Sequence, residues 1–125
     1  MSYENLNIYR AAFQLTVQVE QCVRKFHKCD KTFGNELRIM VTELLYKIAT
    51  LNECEDREKA EFCRMLRSKL NPLQIKIAIS EEINVFDSYK SWFRTSELLK
   101  DVVDQNEKLL RYFDNRQIHG GSAPQ

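Results

Sequence analysis

The sequence predicts an all-α fold, an antiparallel up-down-up-down four-helix bundle. Apolar residues recur at spacings of three and four along four long stretches. Only short polar segments separate those stretches, which makes sequential helices antiparallel neighbours. Gly (3) and Pro (2) are scarce, beside 43% hydrophobic and 30% charged residues, a balance that favours helix over a turn-rich β fold. A chain of 125 residues is one domain by size, in the range where oligomerisation adds stability.

The first helix is expected from about Glu4 to Phe26. Ile8, Ala12, Leu15, Val19, Cys22 and Phe26 form its seam, with Leu6, Tyr9, Phe13 and Val17 as a second strip. Thr32 is the expected N-cap of the second helix, its hydroxyl answering unpaired backbone N–H groups, with Glu36 suited to the positive end of the dipole. Phe33, Leu37, Met40, Leu44, Ile48 and Leu51 line that helix, beside Val41 and Leu45. Gly34 in the first turn is either a point of close backbone approach or a tolerated loop glycine.

The second junction is Asn52 to Asp56. Glu55, Asp56 and Glu58 suit the start of a third helix, whose seam is Cys63, Leu66, Leu70, Leu73 and Ile77, widened by Phe62, Met65, Ile75 and Ile79. Pro72 cannot donate to the preceding turn and predicts a kink near Asn71 or two abutting helices, ending around Ile83. After Asn84–Ser88, the fourth helix is expected from Phe86 to Asn115. Tyr89, Trp92, Phe93, Leu99, Val103, Leu110 and Phe113 populate its buried face, with Leu98, Val102 and Leu109 alongside. Asn106 on that seam either specifies register or is solvated. The bundle then spans 1–116, and residues 117–125 form a disordered tail. The first and third helices carry more apolar surface than one core needs, which points to a subunit interface, or else to a second packed layer.

Site chemistry is sparse. No apolar run approaches the roughly 18 residues of a membrane span, and the N-terminus does not read as a secretory signal, so the expected compartment is the cytoplasm. Cys22, Cys29, Cys54 and Cys63 match neither CxxC pairs nor a secreted disulfide framework. Cys29 and Cys54 belong to junctions at opposite ends of a helix roughly 30 Å long, so they cannot share one ion, and no metal or cofactor is expected. His27 and His119 are the only histidines. There is no nucleophile elbow, no phosphate loop and no Glu-x-x-His pair of a di-iron bundle. No catalytic residue is expected.

Basic clustering is the stronger signal. Net charge is only +1, yet Arg24, Lys25, Lys28 and Lys31 crowd the first junction. From Phe62 to Ile79 the only charges are Arg64, Arg67, Lys69 and Lys76. Such stripes attract phosphate backbones without reading sequence; singly, each is a snorkelling surface side chain. Most aromatics belong to the core, leaving Tyr3 and Tyr46 for stacking.

Several features carry a family resemblance over roughly Asn5 to Asn115. They are Asn5-Leu6-Asn7-Ile8-Tyr9 with Ala12 and Leu15, Phe26-His27-Lys28 before Phe33-Gly34-Asn35-Glu36-Leu37-Arg38, then Leu44-Leu45, Ile48-Ala49, Leu66-Arg67, Ile77-Ala78 and Tyr89. The chain resembles the four-helix-bundle family of 23S rRNA intervening-sequence proteins and accessory variability determinant (Avd) proteins of diversity-generating retroelements. His27 stands where the Avd branch often has proline. Leu44 to Thr50 lacks the Asn-Ile-Ala-Glu-Gly-like segment of the intervening-sequence branch, which favours the Avd branch. The resemblance implies a cytoplasmic, non-catalytic homopentamer. It would bind a reverse transcriptase, its RNA template and the cDNA, supporting mutagenic retrohoming. Candidate contacts are Arg24, Lys25, Lys28, Lys31, Arg38, Arg64, Arg67 and Lys69, Arg38 because it follows the junction motif.

Overall fold

The structure, a computed structural model, describes residues 6–122, with side chains from 6 to 116. The chain is all-helical, with no strand among the described residues: α1 (Asn7–Val23), α2 (Lys31–Ala49), α3 (Lys59–Glu82) and α4 (Tyr89–Ser122). Single 3₁₀ turns at Lys28–Asp30, Leu51–Glu53 and Asp56–Glu58 fill the first two connections. No described helix is long and apolar enough to cross a membrane. The first residues of the predicted first helix, Glu4 and Asn5, lie outside the described residues.

The N-cap expected at Thr32 is displaced. The Lys28–Asp30 turn runs directly into α2, so Asp30 holds the cap position without a side-chain bond and Thr32 lies inside the helix. The buried stripe of α2 is Gly34, Leu37, Val41, Leu44 and Ile48; Phe33 and Met40 are only partly buried at its edge. A Cβ at Gly34 would sit 2.6 Å from Val23 Cγ1 and 3.0 Å from Phe26 Cδ2. The glycine therefore marks a close approach of α2 to the end of α1, and the loop alternative is set aside.

Pro72 neither breaks nor divides α3, which is one α-helix of 24 residues. Its exposed position places the lost hydrogen bond on the solvent side. The helix ends in a Schellman motif. The Asn84 N–H donates to the Glu81 carbonyl at 3.2 Å and the Val85 N–H to the Ser80 carbonyl at 3.3 Å. Asn84 has φ 58°, the left-handed conformation this cap requires and asparagine tolerates. Val85 and Phe86 follow as buried anchors, so α4 starts at Tyr89, later than Phe86. Ser88 Oγ accepts the Ser91 N–H at 3.1 Å and caps it. The helix runs past Asn115 to Ser122; 123–125 lie outside the described residues.

One main core draws on all four helices, from Ile8, Leu15 and Val19 through Leu37, Val41 and Ile48 to Leu66, Leu70, Leu73, Leu98 and Val102. α1 packs on α2 and α4, and α3 packs on α4 and α2; the α2–α3 seam is the least extensive of the four. α1 and α3 are thus diagonal. Asn106 is fully buried and donates to the Cys63 carbonyl at 2.9 Å, while its Oδ1 has no partner. It is a tie between α3 and α4, and the solvated alternative falls away. Trp92 Nε1 makes a matching bond to the Ile77 carbonyl at 2.9 Å. Ile75, Ile79, Tyr89 and Phe93, expected to widen the buried faces, are instead exposed at 62%, 45%, 68% and 39%. The core is already filled by Leu73, Ile77, Thr95 and Leu99.

Candidate nucleic-acid and partner interface

The eight predicted basic residues do not form one face. Five gather where α1 ends and α2 begins. There Glu20 collects two arginines: Arg38 Nε at 2.6 Å and Arg24 at 3.6 Å. Arg38 also donates to Asn35 Oδ1 at 3.1 Å. Lys25 reaches Asp87 at 3.8 Å, and Lys31 Nζ donates to the Val23 carbonyl at 3.4 Å. Lys28 is exposed and has no ion-pair partner among the described residues. Arg24 and Lys25 are about two-thirds exposed at loose pairs. An incoming phosphate competes readily with such pairs, which are worth roughly 0–1 kcal/mol.

Arg64 and Arg67 are differently placed. Arg64 Nη2 donates to both Asp114 carboxylate oxygens, at 2.8 and 3.0 Å, with Glu61 at 3.3 Å. Arg67 forms a two-point fork on Glu107, at 2.9 and 2.8 Å. The fork holds the Glu107 carboxyl below its ordinary range, first by hydrogen bonding. These arginines therefore staple α3 to α4, and their charge is spent within the chain. The signal that would have revealed this is Glu107 and Asp114 at i, i+7 on the fourth helix, facing Arg64 and Arg67 at i, i+3 on the third.

Lys69 lies on the opposite flank of α3, along the α2–α3 seam. It borders two adjoining grooves, one of about 350 Å³ with Met40, Glu43, Leu44, Ser68 and Pro72. The other, of about 290 Å³, adds Tyr46, Lys47 and Thr50. Lys47 escaped the charge reading because Glu43, one turn earlier, masks it in the sequence. Lys76, farther along this seam, is bound to Glu36 at 2.5 Å and stacks on the Phe33 ring at 4.1 Å.

Large apolar side chains are exposed on all four helices, among them Ile39 of α2 at 56% and Tyr112 of α4 at 53%. Phe13 and Val17 face outward from α1, at 49% and 40% exposure. Ile75 and Ile79 of α3 and Ile83 at its C-cap recur every four residues and are exposed, as are Tyr89 and Phe93 of α4, whose rings meet edge to face at 6.1 Å.

The cysteines are free thiols: Cys22 and Cys63 buried, Cys54 intermediate and Cys29 exposed. Burial pushes the Cys63 thiol up to about 11, the opposite of nucleophile activation. Among the described residues no three His, Cys, Asp or Glu side chains group as metal ligands. No family model matches the chain, and a search of curated proteins gives no significant match.

Proposed function

We propose that the chain is a non-catalytic accessory protein that assembles with itself and binds a retroelement reverse transcriptase together with its RNA template and cDNA, supporting sequence diversification by mutagenic retrohoming in the cytoplasm. The observation that carries the reading is large apolar side chains exposed on all four helices around a core that is already closed. Such surface suits repeated copies packed side by side, as in the homopentamer the family resemblance implies. The polymerase and RNA follow from the resemblance at Phe26–Arg38 and from its exposed cations, Arg24, Lys25 and Lys28.

The bundle is read as antiparallel up-down-up-down. Support comes from the order of partners: Thr16 bonds the Val41 carbonyl and Glu20 bonds Arg38, while Arg67 meets Glu107 and Ile77 meets Trp92. Rising numbers on one helix meet falling numbers on its neighbour.

A second reading is a self-assembling bundle that binds no nucleic acid. The internal neutralisation of Arg64 and Arg67 favours it. One set of measurements separates the two: mass in solution, capture of the reverse transcriptase by the tagged chain, and RNA retention between low and physiological salt. The proposal expects a pentamer, co-elution with the polymerase and salt-sensitive retention. A pentamer without RNA or polymerase supports the second reading, and a monomer that binds neither refutes both.

A further inference from the structure

The α2–α3 seam joins an exposed aromatic to two unpaired cations. Tyr46 is 67% exposed, with no hydrogen-bond or ring partner among the described residues. Lys47 and Lys69 border the same groove and are exposed; neither has an ion-pair partner there, although ten ion pairs engage other side chains. The adjoining groove has an apolar floor of Met40 and Leu44 and a wall of Ser68 and Pro72. Proline has no N–H, so the carbonyl of Ser68, four residues earlier, loses its helical donor and remains an acceptor for a ligand.

We infer that this seam is a contact site for single-stranded RNA, deepening the RNA-binding part of the proposed function, on which it rests. One base stacks on the Tyr46 ring, and the Lys47 and Lys69 ammonium groups hold the flanking phosphates. An open aromatic beside two uncommitted cations on one groove is an arrangement that binds single strands with little sequence preference. A duplex keeps its bases stacked inside and offers Tyr46 no face to cover. Glu43 borders both grooves. It leaves the pair of lysines one net positive charge and keeps phosphate away from its own turn of α2.

The test measures binding of a fluorescently labelled single-stranded oligouridine across a salt series. Tyr46→Ala should weaken binding about tenfold, while Tyr46→Phe retains it, because stacking needs the ring and not the hydroxyl. Lys47→Gln with Lys69→Gln should lower the slope of log K against log salt by about 1.4, ~0.7 for each single-strand phosphate released. Glu43→Gln should tighten binding. All four positions are solvent-exposed, so the variants fold, and circular dichroism checks this. If these variants bind as the parent does while Lys25→Gln with Lys28→Gln abolishes binding, the seam is not the site and the broader reading stands. If the variants keep RNA and lose only the polymerase, the seam is a protein dock and the inference is overturned. If the parent chain binds no RNA even at low salt, the RNA-binding reading fails with it.

Discussion

Replacing Gly34 by alanine sets two effects of opposite sign against each other. In an open helix the change stabilises by about 1 kcal/mol, because alanine loses less backbone freedom on folding. Here the new methyl would lie 2.6 Å from Val23 Cγ1 and 3.0 Å from Phe26 Cδ2, well inside the roughly 3.5–4.0 Å of a relaxed carbon contact. Neither neighbour has room to withdraw. Val23 is 0% exposed and Phe26 4%, and the Phe26 ring is backed edge-on by Phe86 at 5.2 Å. Overpacking of this kind costs about 1–3 kcal/mol. The clash wins, with a net loss of about 1 kcal/mol. Urea unfolding followed by circular dichroism, at matched protein concentration, should show the midpoint falling by about 0.5 M with an unchanged slope, given slopes of about 1–3 kcal/mol/M. Adding Val23→Ala to Gly34→Ala should cost less than the two separate losses combined. A Gly34→Ala midpoint equal to or above that of the parent would refute the close-approach argument.

Other outcomes follow from the caps, thiols and staples. Asn84→Gly should stabilise and Asn84→Ala destabilise, each by about 0.5–1 kcal/mol in urea unfolding, because the Schellman position needs positive φ. A timed reaction with a thiol reagent at neutral pH should modify Cys29 first and Cys54 more slowly. Cys22 and Cys63 should react only in denaturant, since both are buried and burial raises their thiols. The Glu107 carboxyl is lowered by Arg67, so its stabilisation is present above the ordinary glutamate range and is lost as pH falls through the lowered value. Unfolding midpoints measured down through acid should therefore fall less steeply for Arg67→Ala than for the parent, and added salt should shrink the difference.

Much of this fold was legible because apolar spacing reports directly on burial. Ile8, Leu15 and Val19, like Leu66, Leu70 and Leu73, lie where the periodicity puts them. Element ends were harder to read. Thr32 has the chemistry of a cap, but a 3₁₀ turn before it moved the helix start, and no periodicity encodes that turn. Tyr89 and Phe93 fit an apolar seam as well as Thr95 and Leu98 do. Which stripe faces inward depends on the rotation of the whole helix, and the Trp92 bond to Ile77 fixes that rotation. The candidate basic face was legible only as charge. Whether an arginine is free or forked onto an acid is decided by its neighbour across the seam, and Glu107 lies 40 residues from Arg67.

The side-chain ties distribute mechanical stiffness unevenly. Asn106 and Trp92 grip the backbone of α3 at Cys63 and Ile77, the same interval apart on both helices. Sliding α4 along α3 would have to break both grips at once, so a shear of one helix past the other is blocked. Thr16 grips the α2 backbone, and Gln18 grips Ser91 of α4. Across α2 and α3 the described side-chain bond is the Lys76–Glu36 pair alone. A bundle fastened on three sides parts along the fourth. Breathing should begin between α2 and α3, and amide exchange in their facing turns should outpace that in the α3–α4 pair.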